Sequence, residues 1–138
     1  MEVINAEGYI LGRLATEVAV KALKGEEITI VNAEKAVISG RREVIFKRYL
    51  ERRQRGTPQH GPFFPSSSDM IVRRAIRGMV SYKTERGREA YGKVNVISGI
   101  PEEYKNKEMK KNNQVEKLKC EFILVSELSK YLGDKNNE

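Results

Sequence analysis

The chain has 138 residues, 39% of them hydrophobic and 33% charged, with one cysteine and a formal net charge of +7. That length allows one ordinary domain with a real core, and there is no run of about 18 apolar residues to span a membrane. A lone cysteine excludes an internal disulfide framework and fits a reducing cytosol, while the basic balance favours an acidic partner. The first ten residues, MEVINAEGYI, lack a basic region followed by an apolar stretch. A secretory signal is therefore not expected, and a cytoplasmic location is.

Glu2 to Ala6 reads as a short strand with Val3 and Ile4 inside. From Ile10 to Lys24, apolar residues recur at helical spacing through Leu11, Leu14, Val18, Ala22 and Leu23. Lys24 followed by Gly25 is a basic last turn before a C′ glycine. Glu27 to Val31 is a second strand, so the opening of the chain predicts a βαβ unit with a parallel pair. Ala36 to Ile38 adds a short third strand, and Ser39 offers an N-cap for the helix that follows. Helices are predicted over residues 40–55 and 69–82, the second capped by one of Ser66 to Ser68, with Gly78 marking close backbone packing. A short basic turn and helix occupies 83–93, and Val94 to Ile97 forms another strand. Residues 103–119 read as a solvated loop or frayed helix, and Cys120 to Val125 as a strand in which Cys120 is a buried small hydrophobe. Ser126 is expected to cap a last helix through Leu132, with a disordered tail over 134–138. No linker is long enough to divide the chain, so 1–138 reads as one domain.

The charge is not spread evenly. Between Arg41 and Lys93 lie 14 Lys or Arg residues against five acids, a local surplus of +9, while the rest of the chain has a balance of −2. At 100° per residue, Ile45, Phe46, Tyr49 and Leu50 of the first basic helix share an arc of about 140°, whereas Arg41, Arg48, Arg52 and Arg55 share an adjacent arc of about 60°. One stripe docks on a core and the other faces outward. Like charges on one stripe repel, so a bound polyanion explains them better than stability does, and arginine's planar fork suits phosphate. Neutralising nucleic-acid phosphates releases counterions, which makes nucleic acid the leading partner for the 41–93 segment. Two phenylalanines, Phe63 and Phe64, sit in the Gly- and Pro-punctuated loop 56–68, where they either pin the loop to the core or stack on unpaired bases.

Two rival functions lack their signatures. A nucleotide-binding enzyme would need G-x-G-x-x-G after the first strand or G-x-x-x-x-G-K-[ST], and neither occurs. His60 and Cys120 are the only soft metal ligands and lie far apart, so no metal, cofactor or catalytic constellation is expected. A DNA-reading helix-turn-helix needs a turn of three or four residues, whereas these basic helices are separated by a long Pro-rich loop. Structured RNA fits better, because backbone contacts need no groove-reading helix.

Several stretches together resemble one family, ribosomal protein L-thirteen of the large subunit. They are ILGRLAT (10–16), IVNAEKAVISG (30–40), the GPFFP loop, IRGMVSYKTERGREA (76–90) and VNVISGIPEEY (94–104). The GPFFP loop and the GIPEEY ending are similar to the archaeal and eukaryotic branch, and an archaeal-type member is expected. The resemblance implies a three-layer α/β/α fold with a small, mainly parallel four-stranded sheet and basic helix and loop extensions. It also implies a non-enzymatic role: binding large-subunit rRNA beside neighbouring ribosomal proteins and supporting subunit assembly, with no small-molecule substrate. The candidate RNA-binding residues are Arg41, Arg42, Lys47, Arg48, Arg52, Arg53, Arg55, His60, Arg73, Arg74, Arg77, Lys83, Arg86, Arg88 and Lys93. The chain departs from the family at Ser66 to Ser68, where archaeal relatives often carry basic residues, and at Ser81, where many relatives have proline.

Overall fold

In the computed structural model, the described residues are 2–112 and 114–133; the tail expected over 134–138 lies outside them. Strand β1 (Glu2–Asn5), helix α1 (Leu11–Leu23) and strand β2 (Ile28–Val31) form the predicted βαβ unit, with Glu2 opposite Ile28 and Asn5 opposite Val31 in a parallel pair. The C-terminus of α1 closes as its sequence predicts. Gly25, at φ +93°, donates to the Ala22 carbonyl and Glu26 donates to that of Lys21, the two bonds of a Schellman motif. Its N-terminus is capped from afar, for Gln114 Oε1 accepts from the Ile10 N–H at 2.9 Å.

The remaining elements are β3 (Val37–Ser39), α2 (Arg42–Gln54), α3 (Ser68–Met79), α4 (Glu85–Gly92), β4 (Val94–Val96), α5 (Glu102–Lys105), β5 (Phe122–Leu124) and α6 (Val125–Tyr131). The fold is α/β, but the expected four-stranded sheet is a three-stranded parallel sheet ordered β1-β2-β4 plus a separate antiparallel pair, β3 with β5. The reason is chain length. Only residues 32–36 separate β2 from β3, whereas a parallel neighbour needs a crossover of about a dozen residues or more. β3 therefore leaves the sheet and pairs with a strand from the far end of the chain. The segment predicted to be solvated is also partly tied down: Lys110 donates to Val3 and accepts from Asn5 along the open edge of β1.

The core sits between one sheet face and the helices. Ile4, Ile28, Ile30 and Val94 meet Leu11, Leu14, Ala15, Val18 and Ala22 of α1, with Ile71, Val72 and Ile76 of α3 and Ala90 of α4 in the same cluster. Leu14 is wholly buried, so truncating it to Ala would cost about 2–5 kcal/mol.

Several local expectations are corrected. Ser39 pairs with Phe122 inside β3, so Arg41, without a side-chain bond, takes the N-cap of α2. Ser126 lies within α6, whose N-cap is Leu124. Ser67 occupies the N-cap of α3 but makes no capping bond. That helix ends at Met79 rather than near Tyr82, because Ser81 takes a left-handed φ of +56°. Met79 is exposed, and a Cβ on Gly78 would meet nothing within 4 Å, so no close packing explains that glycine. Cys120 is exposed rather than buried.

Candidate nucleic-acid interface

The basic segment begins on α2, which docks by the predicted stripe. Ile45 is buried, while Phe46, Tyr49 and Leu50 are half-buried against the core. Phe46 stacks on Tyr131 of α6 with centroids 4.3 Å apart, and Tyr49 meets Phe64 of the following loop edge-on at 5.7 Å. These contacts leave Arg41, Lys47, Arg48, Arg52 and Arg55 exposed to solvent.

The loop between α2 and α3 folds back on itself. Gly56 and Gly61 both have positive φ, and the Gly61 N–H donates to the Thr57 carbonyl at 2.9 Å. A Cβ on Gly56 would lie 1.8 Å from the Gly61 carbonyl oxygen, so only glycine allows this approach. Two arginines then strap the loop: Arg53 donates to the Phe64 carbonyl at 3.0 Å, and Arg74 to the Phe63 carbonyl at 2.9 Å. Phe64 is half-buried and pins the loop, whereas Phe63 is 66% exposed. Pinning to the core thus holds for Phe64 and not for Phe63, whose ring stays in solvent. Ser66 accepts from Ser129 of α6 through its carbonyl, at 2.7 Å, which anchors the loop's far end.

Sorted by contacts, the 14 arginines and lysines among the 15 candidate residues divide into three groups. Arg73 is a strut: it donates to the Tyr91 hydroxyl at 2.8 Å and to the Val94 carbonyl at 3.0 Å, with its guanidinium 4.4 Å from the Tyr91 ring. A second group points outward but is steadied by the protein. Arg42 pairs with Glu127 at 3.2 Å and lies over Phe46; Arg52 lies over Tyr49, Arg74 over Phe64 and Arg77 over Tyr82. Arg53 belongs here too, together with Arg86, Arg88 and Lys93, which reach the carbonyls of Leu23, Lys83 and Gly25. The third group, Arg41, Lys47, Arg48, Arg55 and Lys83, is exposed and has no side-chain partner among the described residues. His60 is exposed as well; its backbone N–H donates to the Thr57 hydroxyl.

Partial burial, and then the positive charge of Arg77, push the Arg74 guanidinium below its ordinary pKa. Both causes disfavour a cation, and a bound anion would relieve the second. Arg52, Arg55 and Arg74 also line one pocket of about 300 Å³ with Pro62 and Phe64. Among the described residues no group of three or more His, Cys, Asp or Glu is placed to hold a metal ion.

The turn into α4 carries the remaining cations and rests on residues that the charge pattern does not single out. Thr84 caps α4 by accepting from the Gly87 N–H at 3.1 Å, and its own hydroxyl donates to the Ser81 carbonyl at 2.9 Å. Gly87 is buried against that turn, and a Cβ there would lie 2.1 Å from the Ser81 oxygen. Ser81's φ of +56° is closed to proline, whose ring holds φ near −65°, so the turn is built differently from one with proline at that position. Thr84 followed by Glu85 is a sequence signal for the cap; nothing in the sequence marks the steric need for Gly87.

Residues 1–103 match a family model described as Ribosomal protein L13. The large ribosomal subunit protein uL13 of Methanocaldococcus jannaschii is 48% identical, over 98% of this chain and 99% of that protein. The protein of the same name from Archaeoglobus fulgidus is 43% identical over 95% of this chain and 86% of its own length, and that from Methanosarcina barkeri is 54% identical over 78% of each.

Proposed function

The chain belongs to the ribosomal protein L13 family, and from that premise we propose that it is a structural constituent of the large ribosomal subunit that binds large-subunit rRNA. It acts as a cytoplasmic, non-enzymatic component that supports subunit assembly beside neighbouring ribosomal proteins. The contact surface is the outward row of α2 continued through the 56–67 loop, Arg74 and Arg77 of α3 and the turn before α4. The observation that carries this reading is the group of exposed cations without protein partners, Arg41, Lys47, Arg48, Arg55 and Lys83. Such residues add self-repulsion to the folded state, and phosphate oxygens supply what they lack.

Binding of the purified protein to large-subunit rRNA, measured across salt concentrations, tests the proposal. With about six to ten phosphate contacts, affinity falls about 10³- to 10⁵-fold between roughly 50 and 200 mM salt. A flat salt dependence would overturn the electrostatic basis of the reading, and equal affinity for duplex DNA in competition would favour general nucleic-acid binding instead.

A further inference from the structure

The loop between α2 and α3 presents an aromatic ring where the core has no use for one. Phe63 is 66% exposed, yet the backbone that carries it is among the most heavily tethered in the basic segment. Arg74 holds the Phe63 carbonyl, Arg53 holds that of Phe64, and the Phe64 ring is packed edge-on to Tyr49. Behind it the Gly56–Gly61 approach closes the loop, and the Phe63 ring lies so near Gly61 that a Cβ there would sit 3.0 Å from two of its carbons. An apolar ring in water on a tethered backbone is a cost without a return in the free protein. Display of an aromatic side chain on a held backbone is instead what a stacking partner rewards, because less conformational freedom of the loop remains to be lost on binding.

The surroundings say what that partner is. Pro62 and Phe64, on either side of Phe63 in the chain, line the pocket of about 300 Å³ whose other walls are Arg52, Arg55 and Arg74. Among the described residues no acidic side chain lines it. Three guanidiniums at one pocket call for phosphate, and the exposed ring of Phe63, carried by the chain between two of the pocket's lining residues, offers a flat face to a base. Both are offered together by an unpaired nucleotide strand, whereas in a continuous duplex the bases are stacked and out of the ring's reach. An apolar protein segment would satisfy Phe63 but leave the three arginines of the neighbouring pocket without anions.

We propose that the α2–α3 loop is a single-strand site, in which Arg52, Arg55 and Arg74 take a backbone phosphate and the Phe63 ring stacks on a neighbouring unpaired base. The inference rests on the rRNA-binding reading and adds the structural class of RNA that this loop meets. It assigns Phe63 the part of reading an unstacked base, and the arginines beside it a sequence-independent part.

The test separates base from charge. Fluorescence anisotropy compares the full-length protein's affinity for an oligoadenylate of about ten nucleotides with that for an abasic ribose-phosphate strand of equal length and charge. The wild type should prefer the base-bearing strand by about 5- to 150-fold, and Phe63→Ala should erase that preference while leaving the thermal midpoint in place. Phe63→Trp should keep the preference and Phe63→Leu should lose it, since leucine supplies apolar bulk without a π face. Arg55→Ala should weaken both strands by the same factor. Equal wild-type affinity for the two strands, or a preference that survives in Phe63→Leu, would overturn the stacking role while salt-dependent binding of large-subunit rRNA stands. Loss of that rRNA binding in the wild type would overturn the functional reading beneath it.

Discussion

Replacing Arg41, Arg48 and Arg55 together with Ala, alongside a separate Arg73→Ala variant, separates arginines that meet RNA from those that hold the protein together. The three residues of the first variant are exposed and have no side-chain partner among the described residues. With one phosphate contact from each, as the proposed function requires, the slope of log affinity against log salt should become shallower by about 0.7–0.9 per residue, or about 2–3 in total. Over a fourfold rise, from about 50 to about 200 mM, the wild type's loss of affinity then exceeds the variant's by about 20- to 40-fold. The thermal midpoint stays within about 2 °C, or rises, because only repelling surface charges have gone. Arg73→Ala removes instead two hydrogen bonds, of 2.8 and 3.0 Å, and a ring contact at 4.4 Å. Discounted for partial exposure, that loss is about 2–4 kcal/mol, or a fall of about 6–12 °C for a chain of this size. Its salt slope stays that of the wild type. Filter binding across a salt series and thermal denaturation by circular dichroism read both quantities. An unchanged slope in the triple variant, or a flattened slope with an intact midpoint in Arg73→Ala, refutes the division.

Three further outcomes follow from individual contacts. Gly87→Ala forces a Cβ to within 2.1 Å of the Ser81 oxygen, a backbone atom, and should lower stability by at least about 2 kcal/mol; Gly78→Ala meets nothing and should raise it by about 0.5–1 kcal/mol. Urea midpoints that move the same way in both variants contradict this. Glu17 accepts from Tyr9, Lys21 and Lys110; burial pushes its carboxyl up, but the two lysines outweigh burial and its pKa ends below the ordinary value. Its contribution is therefore present above the unfolded pKa and lost as pH falls through the lower folded one, so Glu17→Gln should cost about 1 kcal/mol at neutral pH and progressively less as the solution is acidified through that lowered value. A gap between wild type and variant that does not narrow in acid rejects that role. Cys120 is exposed, so a thiol reagent should label the native protein stoichiometrically without denaturant, and Cys120→Ser should melt with the wild type.

What the sequence made legible is what local physics decides. The apolar spacing of α1 and the basic turn before Gly25 locate that helix and its Schellman ending, and the wheel of α2 separates Ile45, Phe46, Tyr49 and Leu50 from the arginine row. Pairing over distance was not legible. Val37–Ser39 and Phe122–Leu124 are three-residue strands at opposite ends of the chain, and neither carries a signal for antiparallel partnership with the other. Arg73 and Arg48 illustrate the same limit within the site. They are one residue type in one basic block, and only the placement of Tyr91 and the Val94 carbonyl makes the first a strut. Glycine behaves alike: the sequence draws attention to Gly78 in mid-helix, whereas the steric demand falls on Gly87, set by a turn whose path no periodicity reveals.

The way these arginines are held bears on how much charge they can offer. Five of them, Arg42, Arg52, Arg73, Arg74 and Arg77, have their guanidiniums 4.4–5.5 Å from the centre of an aromatic ring. Within the 41–93 segment and among the described residues, only Arg42 also pairs with a carboxylate. A carboxylate would position a guanidinium as well as a ring does, but it would cancel the charge and would have to be given up before phosphate could take its place. A ring's quadrupole attracts the cation by about 0.5–1 kcal/mol at exposed sites and carries no net charge. The arginine thus loses rotamer freedom on folding rather than on binding, and the full positive charge remains available. Ring contacts and carbonyl straps together let a segment with a +9 surplus fold into a defined surface without neutralising the charge that makes the surface useful.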